Sequence, residues 1–238
     1  MRKITSAKSG ESRTPGVCEK CDGIGYILGD KGATPCQCRL DRLGLSRFRQ
    51  ANIPRKFHNK SLTGFAVRNQ KQKEILQGAK GFLKTFRGNN HDSPGKGLLM
   101  TGREGTGKTH LAVAILKEVI QKGYRGLYWN VPELFLELRR RMDDSAEENE
   151  ADLFDSARRA DLLVLDDLGA ERTSEYVLDR LYVLINRRYE DDSATIITTN
   201  RTLAELKQQL SPRIASRIGE MCVTMEFPEG DFRLQNLR

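Results

Sequence analysis

The stretch Gly97-Leu98-Leu99-Met100-Thr101-Gly102-Arg103-Glu104-Gly105-Thr106-Gly107-Lys108-Thr109 decides how this chain is read. Its apolar start predicts a buried strand, and it runs into G-x-x-G-x-G-K-T. Apolar positions at helical spacing follow at once: Leu111, Ala112, Ile115, Leu116 and Val119. Strand, glycine-rich turn and helix together fit the P-loop form G-x4-G-K-[ST]. The chemistry needs each residue type. Gly102, Gly105 and Gly107, with Thr106 between them, let backbone N–H groups turn inward around a β-phosphate. The helix N-terminus adds its dipole. Lys108 carries charge to the β- and γ-phosphates, Thr109 offers a hydroxyl to Mg2+, and His110 is expected as a further nucleotide contact.

Such a site needs a carboxylate at the end of a second buried strand. Leu162-Leu163-Val164-Leu165-Asp166-Asp167 supplies it: Asp166 is placed to hold Mg2+ through water, and Asp167 to polarise the attacking water. A third strand, Ala194-Thr195-Ile196-Ile197-Thr198-Thr199-Asn200, ends in an amide. Asn200 reads either as a contact to the γ-phosphate and lytic water or as a cap for the helix from Leu203 onward, and both roles are compatible.

Charge is unevenly spread. Residues 1–60 hold 13 Lys and Arg against 5 Asp and Glu, and the other 178 residues hold 27 of each, so the whole +8 excess lies in the first quarter. A basic segment suits an anionic partner, nucleic acid or an acidic protein face, or it is a solvated arm. No run reaches the roughly 18 apolar residues of a membrane span, and residues 1–16 lack an apolar signal core, so a cytoplasmic chain is expected.

Cys18, Cys21, Cys36 and Cys38 form C-x2-C, fourteen residues, then C-x-C. Without an export signal, thiolates rather than disulfides are expected, and four of them make a tetrahedral Zn2+ site. The alternative is a set of unligated thiols; His58 is a weak substitute ligand. Gly23 and Gly25 permit the tight turn, and Ile24, Tyr26, Ile27 and Leu28 are expected to cluster around the metal. Residues 39–48 read as a short basic amphipathic helix, with Leu40, Leu43, Leu45 and Phe48 among arginines, and Pro54 marks the entry to a new domain. Cys222, in an apolar strand-like run from Cys222 to Phe227, reads as a buried small hydrophobe.

Between the two nucleotide motifs, Arg125 to Trp129 predicts a strand. Asn130 and Glu133 then form a candidate capping box, and Leu134, Phe135 and Leu138 face the core. Trp129 and Phe135 with Arg139, Arg140 and Arg141 suit a single-strand nucleic-acid path; they equally suit plain core and the basic end of a helix.

The runs Gly102–Thr109, Leu163–Glu171 (VLDDLGAE by its last eight residues) and Ile197–Asn200 (ITTN) resemble the AAA+ ATPases. More narrowly, they resemble the DnaC/DnaI type of replicative helicase loader and the related IstB type of transposition ATPase. The resemblance covers about residues 50–238, and Ile53–Phe65 is similar to the family's entry into its ATPase domain. The cysteine knuckle is similar to the amino-terminal metal-binding region of the loaders. The resemblance implies an α/β fold, a parallel sheet of about five strands with helices on both faces. It implies two domains, a zinc-binding, partner-binding region at 1–50 and an ATPase domain at 51–238 without a full lid.

It also implies roles. Asn200 is sensor 1, Arg217 in Ser216-Arg217-Ile218 the arginine finger with Arg213 in reserve, and Arg233 a shortened sensor 2. Asp167 stands where AAA+ proteins usually carry Glu, which implies slow turnover of ATP to ADP. The implied partners are a hexameric replicative helicase, single-stranded DNA and further copies of the chain in an ATP-dependent oligomer. The alternatives are a transposase helper and a nucleotide-gated adaptor with negligible turnover.

Overall fold

The computed structural model describes residues 18–29, 32–88, 97–143, 147–170, 174–228 and 230. Residues 1–17, Glu171 and Arg233 lie outside them, so the sensor 2 expectation and the first sixteen residues have no structural account.

The chain forms two compact units, divided after Leu45. In the first, strands β1 (Tyr26–Gly29) and β2 (Gly32–Pro35) pair antiparallel, Tyr26 opposite Pro35. Helix α1 (Gln37–Gln50) begins there, longer at both ends than the sequence predicts, and the unit boundary falls inside it.

In the second unit, beyond the end of α1, a 3-10 turn at Arg55–Phe57 follows Pro54. It continues as α2 (Gln70–Thr85), β3 (Gly97–Thr101), α3 (Lys108–Gln121), β4 (Gly126–Asn130), α4 (Val131–Asp143), α5 (Glu147–Arg159), β5 (Leu162–Asp166), α6 (Glu175–Glu190), β6 (Thr195–Thr199), α7 (Leu203–Gln209), α8 (Pro212–Met221) and β7 (Cys222–Glu226). Local chemistry sets several starts: Asn69, Ser174 and Ser211 each accept a backbone N–H at a helix start, and Pro212 occupies the first turn of α8.

The sheet is five-stranded and parallel, in the order β4-β5-β6-β3-β7. Alternation along each strand divides the core in two. Leu98, Met100, Leu162, Val164 and Ile196 pack with α2 and α3 on one face. Leu99, Leu163, Leu165 and Ile197 pack with α4, α5, α6, α7 and α8 on the other. A strand covered on both faces is buried at every position, which is why β3, β5 and β6 read as nearly continuous runs of apolar and β-branched residues. All three end at the same edge, so Thr101, Asp166 and Thr199 deliver the residues that follow them to one place.

Among the described residues, no helix is long and apolar enough to cross a membrane.

Candidate nucleotide site and cysteine cluster

β6 lies between β3 and β5, so its tip stands between the P-loop and the Asp166–Asp167 pair. The P-loop turn needs its glycines. Gly102, Gly105 and Gly107 have φ of 141°, 74° and 97°, where a side chain is strained. A Cβ on Gly102 would also approach the Phe227 carbonyl oxygen at 2.9 Å. The Thr106 hydroxyl donates to the Arg103 carbonyl at 2.8 Å and closes the loop.

Lys108 opens α3 and is only 5% exposed. Its ammonium donates to the Gly102 carbonyl at 2.6 Å, the Arg103 carbonyl at 2.8 Å and Asn200 Oδ1 at 2.7 Å. Asn200 Nδ2 donates in turn to Glu104 Oε1 at 2.9 Å. Thus Asn200 bridges two side chains of the P-loop. It does not cap the following helix, because Thr202 forms that cap in a reciprocal box with Glu205.

Asp166 is 2% exposed and gathers three hydroxyls. Thr109 donates to Oδ1 at 2.9 Å and Thr198 to the same oxygen at 2.6 Å, while Tyr128 donates to Oδ2 at 2.7 Å. Burial, then the Asp166 charge, pushes the Tyr128 phenol far above its ordinary value, so it remains a donor. Asp167 has φ of 60°, a left-handed conformation that aspartate tolerates better than most residues. Its N–H donates to Thr198 Oγ1 at 3.0 Å, and its Oδ2 accepts from Asn130 Nδ2 at 3.2 Å. Asn130 therefore does more than the expected cap, although its Oδ1 also accepts the Glu133 N–H at 3.4 Å. The strand it ends is Gly126–Asn130, one residue later than expected.

A cleft of about 480 Å³ opens over these groups. Gly105, Thr106, Gly107, Lys108, Thr109, His110, Asp167 and Asn200 line it, opposite Phe57, Lys60, Phe65 and Arg68. The last four escaped the sequence reading as site residues. The sole signal for Phe57, Lys60 and Phe65 was their place in Ile53–Phe65, Arg68 lies just beyond it, and nothing local says that this segment folds over a P-loop more than thirty-five residues ahead. The His110 ring faces Phe65 edge-on at 5.7 Å and bonds through Nε2 to the Ser61 carbonyl at 2.9 Å. Burial holds its pKa below the ordinary histidine value.

Arg213 and Arg217, on α8, do not line this cleft. Arg217 Nε donates to Asn186 Oδ1 at 3.1 Å, and its guanidinium lies 4.4 Å from the Tyr189 ring centroid. The Tyr189 hydroxyl donates to Glu220 Oε2 at 2.7 Å, which holds the Glu220 carboxyl below its ordinary value. Arg213 is exposed.

Of the aromatic residues of the expected single-strand path, Phe135 is core and Trp129 is partly buried. Phe135 is 3% exposed and packs with Leu134 and Leu138. Trp129 packs against the same cluster, its indole N–H buried without a hydrogen-bond partner. The Phe135 ring, held inside the core, has no face left for a base to stack on. Arg139 and Arg140 are exposed, and the Arg141 side chain lies outside the described residues.

In the first unit, the Sγ atoms of Cys18, Cys21, Cys36 and Cys38 all lie within 4.8 Å of one another. Cys18 and Cys36 are 3.8 Å apart, Cys21 and Cys38 3.4 Å. A tetrahedron of thiolates at Zn–S distances of about 2.3 Å has edges of about 3.8 Å, so the residues fit the ion. The turn uses left-handed Asp22, Gly23 and Gly25, and the Gly25 N–H donates to Cys21 Sγ at 3.3 Å. Burial raises the Cys21 thiol, but this N–H and the neighbouring thiols outweigh it and bring its pKa down to about 7. The expected apolar cluster around the sulfurs does not form. Ile24 is 69% and Ile27 42% exposed, Tyr26 lies under the Arg39 guanidinium instead, and the Leu28 side chain is outside the described residues. His58 does not join the thiols; its Nε2 bonds to the Ile53 carbonyl at 2.8 Å. Cys222 is buried, and burial pushes its thiol up to about 12.

A P-loop that opens a helix, a carboxylate strand, and a polar-tipped strand between the two define a nucleotide-binding domain of the AAA+ class. The family model described as IstB-like ATP binding protein matches residues 78–236, 159 of the 238, and the chain belongs to that family. It is similar to the replicative helicase loader DnaC of Escherichia coli (strain K12), 26% identical over 171 residues, 72% of this chain and 67% of the relative. It is also similar to the replicative helicase loader DnaI of Bacillus subtilis (strain 168), 30% identical over 138 residues, 58% of this chain and 42% of that one. A crystal structure of the DnaC helicase loader superposes with a TM-score of 0.66 at 32% identity, covering 74% of this chain and 100% of that chain.

Proposed function

We propose that this chain is an ATP-hydrolysing loader of the replicative DNA helicase, working in the cytoplasm as an oligomer. The observation that carries the reading is the pairing of Lys108 with Asn200 and of Thr109 with Asp166 in one cleft, in a chain whose relatives are named helicase loaders.

ATP enters over the P-loop. Lys108 exchanges the Gly102 and Arg103 carbonyls for phosphate oxygens, and the N–H groups of residues 105–109 surround the β-phosphate. Thr109 and Asp166 would hold Mg2+, since a hydroxyl and a carboxylate oxygen 2.9 Å apart are a hard-donor pair suited to that ion and its waters. Mg2+, when held there, would neutralise charge on the β- and γ-phosphates. Asp167 orients the attacking water, held by Asn130, and Asn200 contacts the γ-phosphate. A carboxylate one methylene shorter than Glu reaches less far, which suits a slow switch. Arg217 acts on the cleft of a neighbouring copy, Arg213 being the reserve, since neither lines its own chain's cleft. The stacked Tyr189 and Asn186 hold Arg217 in one orientation, as a finger requires.

The cysteine unit carries the helicase contact. Leu40, Leu43 and Leu45 are 48%, 39% and 60% exposed, among Arg39 and Arg42. Apolar anchors interleaved with charge suit a protein surface, whereas phosphate neutralisation needs charge alone. Exposed Arg139 and Arg140 contribute to single-stranded DNA contact through phosphates.

The test is co-purification with a hexameric helicase, comparing the wild type with a Leu43→Asp/Leu45→Asp variant. Association should be lost in the variant while ATP binding is retained. No association of the wild type, with capture of a transposase on duplex DNA instead, would establish the transposase-helper reading.

A further inference from the structure

The hydroxyl of Tyr128 is not part of the P-loop, the acidic pair or the β6 tip, yet it reaches the centre of the site. Tyr128 is on β4, opposite Val164 of β5, and Asn130 is opposite Asp166. Tyr128 and Asp166 are thus diagonal neighbours across two parallel strands, within reach of a long side chain. The ring is 2% exposed and belongs to the core cluster on the α2–α3 face.

Two features fix where the hydroxyl sits. The Tyr128 N–H donates to the Ala51 carbonyl at 2.8 Å, and Asn52 Nδ2 donates to the Tyr128 carbonyl at 3.2 Å. The chain leaving α1 thus clamps both backbone groups of Tyr128 and covers the β4 edge of the sheet there. Asn52 has φ of 54°, a left-handed turn that asparagine accommodates. The phenol then donates to Asp166 Oδ2 at 2.7 Å.

A buried carboxylate with one oxygen unsatisfied turns until it finds a partner. Here Oδ2 is anchored, and Oδ1 is left facing the Thr109 and Thr198 hydroxyls on the phosphate side. We infer that Tyr128 is a positioning residue for Mg2+·nucleotide, fixing the Asp166 carboxylate through its hydroxyl while the Ala51–Asn52 clamp fixes Tyr128. This inference rests on the ATP-binding reading of the cleft.

Tyr128→Phe keeps the ring and removes only the donor. The measurement is the affinity of the full chain for a methylanthraniloyl derivative of ATP, without metal in EDTA and over a series of Mg2+ concentrations. In the variant, metal-free affinity should match the wild type, and the Mg2+ concentration giving half the full effect should rise about tenfold, the low end for a hydrogen bond to a charged group. A purely packing role would lower the melting temperature and leave the Mg2+ requirement in place, and that result overturns the inference. A wild type whose affinity ignores Mg2+ overturns the reading of the cleft instead. Should Tyr128→Phe lose metal-free binding as well, Asn52→Ala decides. It leaves the hydroxyl but frees the Tyr128 carbonyl, and an unchanged Mg2+ requirement there sinks the inference, while a raised one supports it.

Discussion

The ammonium of Lys108 donates to Asn200 Oδ1 at 2.7 Å, joining residues 92 positions apart. The contact exists because β6 is inserted beside β3, so that the residue after β6 and the first residue of α3 share one edge of the sheet. Lys108 is buried not by apolar neighbours but by the loop that wraps it, with two loop carbonyls as partners. Lys108→Ala should therefore weaken ATP binding by at least about a hundredfold, since it removes the charge-assisted contacts to the phosphates. Calorimetric titration checks this; wild-type affinity would remove the P-loop assignment.

Glu104 is the acidic exception in a loop built for anions. Its carboxylate holds the Asn200 amide at 2.9 Å and faces the phosphate cleft. Glu104→Ala should tighten ATP binding several-fold, because a like charge at about 6 Å from a phosphate costs roughly 0.7 kcal/mol per charge pair even in water. Glu104→Gln separates the causes. It keeps an acceptor for Asn200 and loses the charge, so matching gains in both variants identify repulsion, and a gain confined to Ala identifies the hydrogen bond.

Arg188 is a structural cation. It is 1% exposed, and its guanidinium donates to the Thr195 hydroxyl and to the carbonyls of Ala157, Arg158, Ala160 and Ala194. It closes the C-terminal end of α5 and ties it to the start of β6. Burial lowers its pKa to about 9, yet it remains charged at neutral pH. Arg188→Met leaves those buried acceptors without donors and should cost roughly 3–5 kcal/mol, a fall of about 10 °C in melting temperature for a chain of this size. A shift within 2 °C or so, by circular dichroism, would show that water replaces the guanidinium.

The cysteine unit predicts its own metal content. Purified protein should carry about one zinc per chain, the number four thiolates hold. Chelation should release it together with four titratable thiols, and the ATP affinity of the second unit should persist, because that unit has its own two-sided core. Metal analysis finding none in folded protein rejects the assignment.

Arg217→Ala should bind ATP as the wild type does and lose turnover. Mixed with Lys108→Ala it should regain part of it, since one variant supplies the intact finger and the other the intact cleft. No recovery at any mixing ratio would leave Arg217 with the contacts it makes to Asn186 and Tyr189 and nothing more.

The sequence by itself determined the strands that end at the site, the P-loop, the acidic pair and the cysteine set. Each of these is written locally. Unbroken apolar runs report burial on both faces, glycines report the left-handed turns, and the thiol spacing reports one small shell. Only the tertiary structure decided which residues complete the site. Tyr128 and Asn130 read as strand and cap, yet pairing of β4 with β5 brings them to Asp166 and Asp167. Phe57, Lys60 and Phe65 precede the P-loop by more than thirty-five residues and still line its cleft. Trp129 and Phe135 carried the composition of a nucleic-acid surface, and packing between the helices and the sheet buried Phe135 and partly buried Trp129. The physical reason is the same throughout. Local sequence sets which backbone groups can bond and which faces are apolar, but lateral strand order and helix docking are long-range choices, and side chains meet across them.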